Sequence, residues 1–262
     1  MSCSLPRLFL CKNNYPPLFS PMIVKTVLID LDDTLWATTR NNQSALREVY
    51  EARGWSRWID SFETLRDVYQ PINDHLWHLY RVGEITKPEL TVRRFKEPLE
   101  HFMGPLDEQL LDEINRQFLS LTATKKETIP GAIELLQELR RRYRIVILSN
   151  GFMEVQHRKM TAAGILPYVD CIVLSEMAGI NKPSKAIFDY ALSRSRSRRS
   201  ETVMIGDDWE SDIQGADNAG LPAIWFNLRG QARPDEPLRV PLYEVSRLSE
   251  IPPLLRSFTS FT

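Results

Sequence analysis

The chain has 262 residues, of which 43% are hydrophobic and 26% are charged, so it can bury a sizeable core in one large domain or two smaller ones. Lysine and arginine (33 residues) almost balance aspartate and glutamate (34 residues), and no overall electrostatic field would therefore attract nucleic acid or a membrane. No apolar run approaches the ~20 residues of a membrane span. Three scattered cysteines are too few for a disulfide framework or a zinc site. We expect a cytoplasmic protein.

The first 21 residues contain a short apolar stretch, which Pro6 and Arg7 interrupt. No small-residue cleavage site follows an apolar segment of the length found in signal peptides. We therefore predict a flexible N-terminal tail over residues 1–21.

Strand-like apolar runs alternate with helix-like stretches in two parts of the chain. The runs cover residues 23–30, 143–150, 171–175, 202–207 and 222–227. They are continuously apolar, as expected of parallel strands covered by helices on both faces. The pattern predicts an α/β fold with a doubly wound, mainly parallel, Rossmann-like sheet, formed by residues 22–40 and 128–262.

Residues 41–127 break this alternation and show only helix-compatible patterns. Gly54, Gly83 and Gly104 lie where helices would end, and Pro88 suits the first turn of a helix. The segment is predicted to be an inserted all-helical domain. Because it follows the first strand, it would lie over the sheet edge at which open α/β folds bind ligands.

The unusual polar residues all follow predicted strands. The carboxyl ends of parallel strands share one edge of a sheet, so residues distant in sequence can converge there. The candidates are Asp30, Asp32, Asp33, Thr34, Ser149, Asn150, Asn181, Lys182, Asp207, Asp208 and Asp212.

Several carboxylates held together raise one another's pKa unless a cation offsets the repulsion. Magnesium suits carboxylate ligands combined with water and a phosphate oxygen. With Mg²⁺ bound, a carboxylate at a strand end can attack phosphorus and form an aspartyl-phosphate. Asp32 shares a face with Asp30 along an extended strand, so it could act as the general acid and base.

The remaining candidates suit phosphoryl transfer, in which positioning and charge neutralisation dominate. Lys182 offers a cation for the phosphate oxygens. Ser149 and the backbone N–H groups near Asn150 offer hydrogen-bond donors at the start of a helix. Asp207 would complete the metal site, and Asp212 would hold metal-bound water or orient Lys182.

The four segments "DLDDT" (30–34), "LSN" (148–150), "KP" (182–183) and "GDDWESD" (206–212) resemble, in this order, the motifs of the haloacid dehalogenase-like hydrolase superfamily. The resemblance implies that the helical insertion is a C1 cap. It also implies a role for each matching residue: Asp30 as nucleophile, Asp32 as general acid and base, Thr34, Ser149 and Asn150 as phosphate-binding residues, Lys182 as charge neutraliser, Asp208 and Asp212 as supporting residues. The implied Mg²⁺ ligands are the Asp30 side chain, the Asp32 backbone carbonyl and Asp207.

Asp32 favours phosphatase chemistry, because superfamily members that remove halide from carbon lack an aspartate there. The segments around Ser149 and Asp207 are similar to those of house-cleaning pyrimidine nucleotidases, which implies a nucleoside 5'-monophosphate as substrate. Asp208, where many relatives carry Ser or Asn, and Asn181 depart from the pattern and leave the substrate open. The alternatives are a sugar-phosphate phosphatase or a phosphomutase of the same superfamily, and a non-catalytic module that binds a phosphorylated ligand.

Aromatic residues at helical spacing in the insertion are predicted to form its core. They are Trp55, Trp58, Tyr69, Trp77 and Tyr80. Trp36, just after the first motif, is the aromatic side chain that we would test first for stacking on a nucleobase. The four histidines, His75, His78, His101 and His157, show no metal-ligand spacing.

The run "SRSRSRRS" at 193–200 follows a predicted helix and precedes a strand, as a solvated helix end and loop would. We therefore expect a small phosphorylated metabolite as the partner, with no nucleic acid and no membrane. The chain is expected to be a monomer or a homodimer.

Overall fold

The computed structural model of the protein describes residues 22–258 and the backbone of Leu8–Phe9. Seven strands form one sheet in the order β1-β7-β6-β5-β2-β3-β4. Their bounds are β1 Leu8–Phe9, β2 Thr26–Ile29, β3 Arg144–Ser149, β4 Cys171–Leu174, β5 Thr202–Gly206, β6 Ala223–Phe226 and β7 Leu242–Val245.

Six of these strands run parallel. β2 lies at the centre, where Val27 pairs with Ile145 of β3 and with Val203 of β5. All four residues of β2 are buried, because helices cover both faces of a parallel sheet. The mainly parallel α/β sheet predicted from the sequence is confirmed.

β1 pairs antiparallel with β7, at the edge of the sheet. These two residues belong to the segment predicted to be a flexible tail. The rest of residues 1–21 lies outside the described residues.

Six helices of the described residues lie outside the insertion in sequence. They are α5 Ala132–Leu139, α6 Met153–Ala162, α7 Ser175–Ala178, α8 Lys185–Arg194, α9 Gly215–Ala219 and α10 Ile251–Ser257. One hydrophobic cluster beside the sheet includes Leu28, Phe188 and Trp225, all of them buried. This packing fixes the strands from whose ends the candidate site residues emerge.

Four helices form the inserted region, namely α1 Thr38–Ala52, α2 Phe62–Val82, α3 Lys87–Met103 and α4 Glu108–Thr122. Helix α3 begins with a capping box between Thr86 and Glu89, which satisfies two backbone N–H groups at the helix end. Helix α2 ends at Gly83, whose φ of 81° is left-handed, a conformation that glycine adopts without steric cost. The helical nature of the insertion agrees with the sequence pattern.

Two of the five aromatic residues predicted to form the core of the insertion are buried, whereas Trp77 and Tyr80 are only partly buried. Trp55 and Tyr69 belong to its hydrophobic cluster together with Phe95 and Phe118. Trp58, in contrast, is 52% exposed. The prediction that it forms core is wrong, because it closes a short 3₁₀ turn at the surface.

The chain divides into two compact units. One contains the chain up to Ala37, residues 128–153 and the chain from Ala163 onward. The other, the helical unit, contains residues 38–127 and 154–162. It therefore begins at Thr38 rather than at residue 41, and it takes in most of α6. None of the helices in the described part of the chain combines the length and the apolar character that a membrane crossing requires.

Candidate active site

The first candidate residue, Asp30, directly follows the central strand β2. Its backbone N–H donates to the Ile205 carbonyl of β5 at 2.9 Å, which extends the sheet pairing by one residue. The chain then turns sharply, and Asp33 has a φ of 60°. Asp30 is only 6% exposed, so its carboxylate lies in an environment that penalises charge.

Lys182 connects the ends of three strands. Its Nζ donates to Asp30 Oδ1 at 2.6 Å, to Asp212 Oδ1 at 2.6 Å and to the Leu148 carbonyl at 2.9 Å. The lysine side chain is 2% exposed. All three donor positions of the ammonium are therefore directed at acceptors, which fixes its position.

Asn150 holds the backbone of Lys182. Its Nδ2 donates to the Lys182 carbonyl at 3.0 Å, and its Oδ1 accepts from the Lys182 N–H at 2.9 Å. The peptide bond that follows, Lys182–Pro183, is cis. The Asn150 side chain thus positions the lysine segment, and its phosphate-binding role, implied by the sequence resemblance, stays a prediction.

Ser149 and Asp32 meet across two strand ends. Ser149 Oγ donates to Asp32 Oδ2 at 3.3 Å and accepts from the backbone N–H of Gly151 at 3.0 Å. The structure thus brings together the hydroxyl and the carboxylate that the sequence placed at separate motifs.

Asp207 follows β5 and is held on both sides. Thr34 Oγ1 donates to Asp207 Oδ1 at 2.9 Å, and Trp225 Nε1 donates to the Asp207 carbonyl at 2.9 Å. Thr34 is fully buried, so in this structure it supports Asp207. Nothing in the sequence marks Trp225 as a site residue, because its apolar run indicates only a strand.

Asp212 lies on a single π-helical turn, Trp209–Gln214, which Asp208 caps by accepting from the Ser211 N–H at 2.7 Å. The Asp208 N–H in turn donates to Asp212 Oδ2 at 3.2 Å. Gly206 permits this arrangement, since a Cβ at that position would overlap the Asp212 carboxylate. Asp208 and Asp212 are therefore both part of the hydrogen-bond network of the site.

Asp33 forms an ion pair with Arg229 at 3.1 Å. This joins the turn after β2 to the loop after β6. No pattern in the sequence linked these residues, because they lie 196 positions apart.

The electrostatics of the site are dominated by buried acids. Burial raises the pKa of Asp30 to about 8, although Lys182 opposes the shift. Burial, followed by the charge of Asp30, raises the pKa of Asp207 well above its usual range. Burial also raises the pKa of Asp212, against Lys182. Burial lowers the pKa of Lys182, but the two aspartates outweigh it and hold the pKa above the ordinary lysine value.

Three carboxylates are close enough to share a cation. One oxygen from each of Asp30, Asp207 and Asp212 lies within 4.8 Å of the others. Three acids against one lysine leave an excess of negative charge, and clustered carboxylate oxygens are the ligands of hard cations such as Mg²⁺. The residues present therefore fit a magnesium ion. The predicted ligand set did not include Asp212, which the structure places in this group.

Trp36 is fully buried, and its backbone pairs with Asp32 and Thr128. The hypothesis that this side chain stacks on a nucleobase is therefore not supported. Its residue type marked it as a candidate, but its position after the turn makes it a packed core residue.

The fold and this set of residues define an α/β protein with a cluster of buried aspartates at the carboxyl edge of a parallel sheet. Residues 24–220 match the family model described as haloacid dehalogenase-like hydrolase. The chain therefore belongs to that family.

Several known proteins are similar over nearly the whole chain. The pyrimidine 5'-nucleotidase YjjG of Escherichia coli is 33% identical over 87% of this chain and 96% of its own. The human N-acylneuraminate-9-phosphatase is 30% identical over 89% of this chain and 94% of its own. The magnesium-bound crystal structure of the HAD-hydrolase YfnB from Bacillus subtilis superimposes with a TM-score of 0.79 at 27% identity, over 89% of this chain and 99% of that one.

Proposed function

We propose that the protein is a magnesium-dependent phosphomonoesterase that works through an aspartyl-phosphate at Asp30. The observation that carries this proposal is the contact of Lys182 Nζ with Asp30 and Asp212, at 2.6 Å each. The lysine holds the Asp30 carboxylate in place and offers positive charge beside it, where a phosphate group would bind.

In the first step, a carboxylate oxygen of Asp30 attacks phosphorus. A new O–P bond forms while the bond from phosphorus to the ester oxygen breaks. Asp32 gives its proton to the departing alcohol oxygen. Ser149 Oγ, 3.3 Å from Asp32 Oδ2, orients the Asp32 carboxyl group for this transfer.

In the second step, water attacks the aspartyl-phosphate. Asp32 now accepts the proton from the water, the O–P bond to Asp30 breaks, and inorganic phosphate leaves. Both halves of the reaction therefore use the same two carboxylates, which return to their starting protonation states.

Asp30 must be ionised to attack, yet its pKa is raised to about 8. A Mg²⁺ ion would be held by Asp30, Asp207 and the Asp32 backbone carbonyl. Asp212, which accepts a hydrogen bond from Lys182, would support this metal site. Bound Mg²⁺ would supply the positive charge that favours the ionised carboxylates and offsets the charge of the phosphate. Asp208 keeps the turn that carries Asp212 in place through the Ser211 N–H.

We further propose a nucleoside 5'-monophosphate as the substrate, with a sugar phosphate as the second candidate. Similarity to a pyrimidine 5'-nucleotidase at 33% identity supports the first. Similarity to N-acylneuraminate-9-phosphatase at 30% identity supports the second. Both substrates are phosphomonoesters, so the same site residues would serve either one.

Release of inorganic phosphate from a panel of nucleotides and sugar phosphates, with Mg²⁺ and with a chelator, tests the proposal. Asp30→Asn should lower turnover by at least about 10⁴-fold, because it removes the nucleophile. The matched control is Asp33→Asn, three residues along in the same turn, which should retain turnover within about tenfold. Wild-type turnover in purified Asp30→Asn protein would exclude the mechanism.

A further inference from the structure

The amino ends of the parallel strands carry arginines that the proposed function does not use. Residues 140–142 follow α5 and precede β3, and residues 194–198 join α8 to β5. Both segments lie at the sheet edge opposite to the one that carries Asp30. Their exposed arginines, which we call the basic edge, are Arg140, Arg141, Arg142, Arg194, Arg196 and Arg198.

The alternating serines and arginines at 193–200 have a structural reason. Ser195 is buried, and its Oγ donates to the Ala191 carbonyl at 2.6 Å. Ser197 Oγ accepts from Thr26 Oγ1 at 2.9 Å. The serines fasten the loop to the sheet, and the arginines between them remain exposed to solvent.

The two loops meet at the start of the central strands. Arg144, the first residue of β3, pairs in register with Thr26 of β2. Its guanidinium donates to the Ser195 carbonyl of the other loop. The arginines before β3 and those before β5 therefore belong to one continuous surface of the same unit.

Few acidic side chains offset the positive charge of the basic edge. Arg198 lies 3.9 Å from Glu201, which also pairs with Lys25 at 2.8 Å. In the part of the chain that the structure describes, the other five arginines of the basic edge have no carboxylate within ion-pair distance. Exposed like charges repel, and a bound polyanion would relieve that repulsion.

We propose that the basic edge binds the phosphate backbone of nucleic acid without regard to sequence. Guanidinium groups match phosphate oxygens in a two-pronged geometry that lysine cannot offer. In the sheet, β3 and β5 are separated by β2 alone, so their starts lie roughly 10 Å apart and the two loops can present charges to phosphates of one nucleic-acid strand. The near-zero net charge of the chain suggests no such partner, whereas the structure concentrates two arginine runs at one edge.

Membrane binding fits this surface less well. Among the described residues beside the basic edge, only one large apolar side chain is strongly exposed, that of Ile23 at 61%. An interfacial anchor needs a wider apolar face. Exposed aromatic side chains for base stacking are likewise absent from the described part of this edge, so contacts should be limited to the backbone of the nucleic acid.

The test is fluorescence anisotropy with a labelled single-stranded RNA of about 20 nucleotides, titrated with the full chain at several salt concentrations. We expect a dissociation constant on the order of 10⁻⁵ M at about 50 mM salt, weakening steeply as salt rises. The triple variant Arg194→Gln, Arg196→Gln and Arg198→Gln should bind at least about tenfold more weakly. Its salt slope should fall by about 2, since each single-strand phosphate contact contributes about 0.7.

The matched control removes the same charge elsewhere. Arg47→Gln, Arg57→Gln and Arg116→Gln alter three exposed arginines of the helical unit and should leave RNA binding within about twofold. Thermal melts check that both variants fold. Binding is measured with a chelator present, so the outcome does not depend on the proposed phosphatase activity.

Three results would overturn the proposal. The wild-type chain could fail to bind RNA at low salt, or both triple variants could lose binding equally, which would make it an effect of net charge. The third is binding to phosphatidylserine vesicles without binding to RNA.

Discussion

Lys182, in the unit that carries the sheet, and Arg94, in the helical unit, are both buried cations, and they are held in different ways. Lys182 is 2% exposed and Arg94, in the helical unit, is 3% exposed. Lys182 contacts two carboxylates at 2.6 Å. Arg94 donates to the neutral amide of Asn115 and lies 5.0 Å from the ring of Phe118. In the described part of the chain no carboxylate lies within ion-pair distance of Arg94.

This difference indicates that the groups around Lys182 serve the reaction, whereas those around Arg94 serve the packing of the helical unit. Around Lys182 the acids outnumber the cation, so the cluster retains the capacity to bind a further cation and an anionic substrate. The groups in direct contact with Arg94 are the Asn115 amide and aromatic rings, with the charge of Glu154 acting from further away, so the guanidinium is stabilised mainly by a hydrogen bond and by cation–π contact. Burial lowers the pKa of Arg94, and nearby Tyr69 opposes that shift. We therefore expect substitutions at Lys182 to affect turnover and substitutions at Arg94 to affect stability.

Lys182→Met should give the largest effect. It leaves Asp30 and Asp212 without their shared cation, and turnover should fall by at least about 10³-fold, equivalent to roughly 4 kcal/mol of transition-state stabilisation. Steady-state phosphate release measures it. Lys185→Met is the control, because Lys185 is exposed and pairs with Asp189 at the surface. Retention of a tenth of wild-type turnover in Lys182→Met would contradict the assignment.

Arg94→Ala should destabilise the protein by about 3 kcal/mol, because it leaves a cavity and removes the donor to Asn115. Arg94→Met fills most of the volume and removes the buried charge, so its cost should be at most about 1 kcal/mol. Urea unfolding of both variants provides the comparison. Equal destabilisation would show that the charge itself is needed, and the contrast with Lys182 would then fail.

Tyr69, buried in the same helical unit, should make stability depend on pH. Burial raises the pKa of Tyr69 to about 12. Between pH 10 and 12 the unfolded chain loses this proton while the folded chain keeps it, so stability falls as pH rises through that window, by on the order of 2 kcal/mol. Urea unfolding below and above pH 10 measures the loss. Tyr69→Phe should remove that part of the pH dependence, and an unchanged profile would count against the shift.

Trp225→Phe should have the smallest effect. It removes the hydrogen bond from the indole to the Asp207 carbonyl and should weaken Mg²⁺ binding by about tenfold. Isothermal titration calorimetry measures this directly, without reference to activity. Trp58→Phe, at an exposed indole in the helical unit, should leave the affinity unchanged. Equal affinities in the wild type and Trp225→Phe would show that the indole does not position Asp207.

The sequence was sufficient to predict strands β2 to β6 and the set of residues at their carboxyl ends, but it did not predict β1 and β7. Continuous apolar runs mark buried parallel strands, and residues that follow such strands meet at one edge. Asp30, Lys182 and Asp207 could be placed together on that ground alone, even though Asp30 and Lys182 are 152 positions apart.

The contacts within the site could not be predicted in the same way. Periodicity indicates that a residue is buried but not which buried group it meets. Asn150 holds the Lys182 backbone, Thr34 supports Asp207, and Trp225 bonds to a carbonyl 18 residues away. Each contact depends on how a loop turns after its strand, and the residue types there were compatible with several partners.

Gly206, the last residue of β5, has a consequence for how the protein tolerates mutation. Any side chain at this position must displace the Asp212 carboxylate, and with it the acceptor of Lys182. Alanine is usually the mildest replacement, yet here even its methyl group collides. In a saturation library covering Thr202–Gly206, selected for turnover, we expect the apolar positions to accept several residues and position 206 to accept glycine alone.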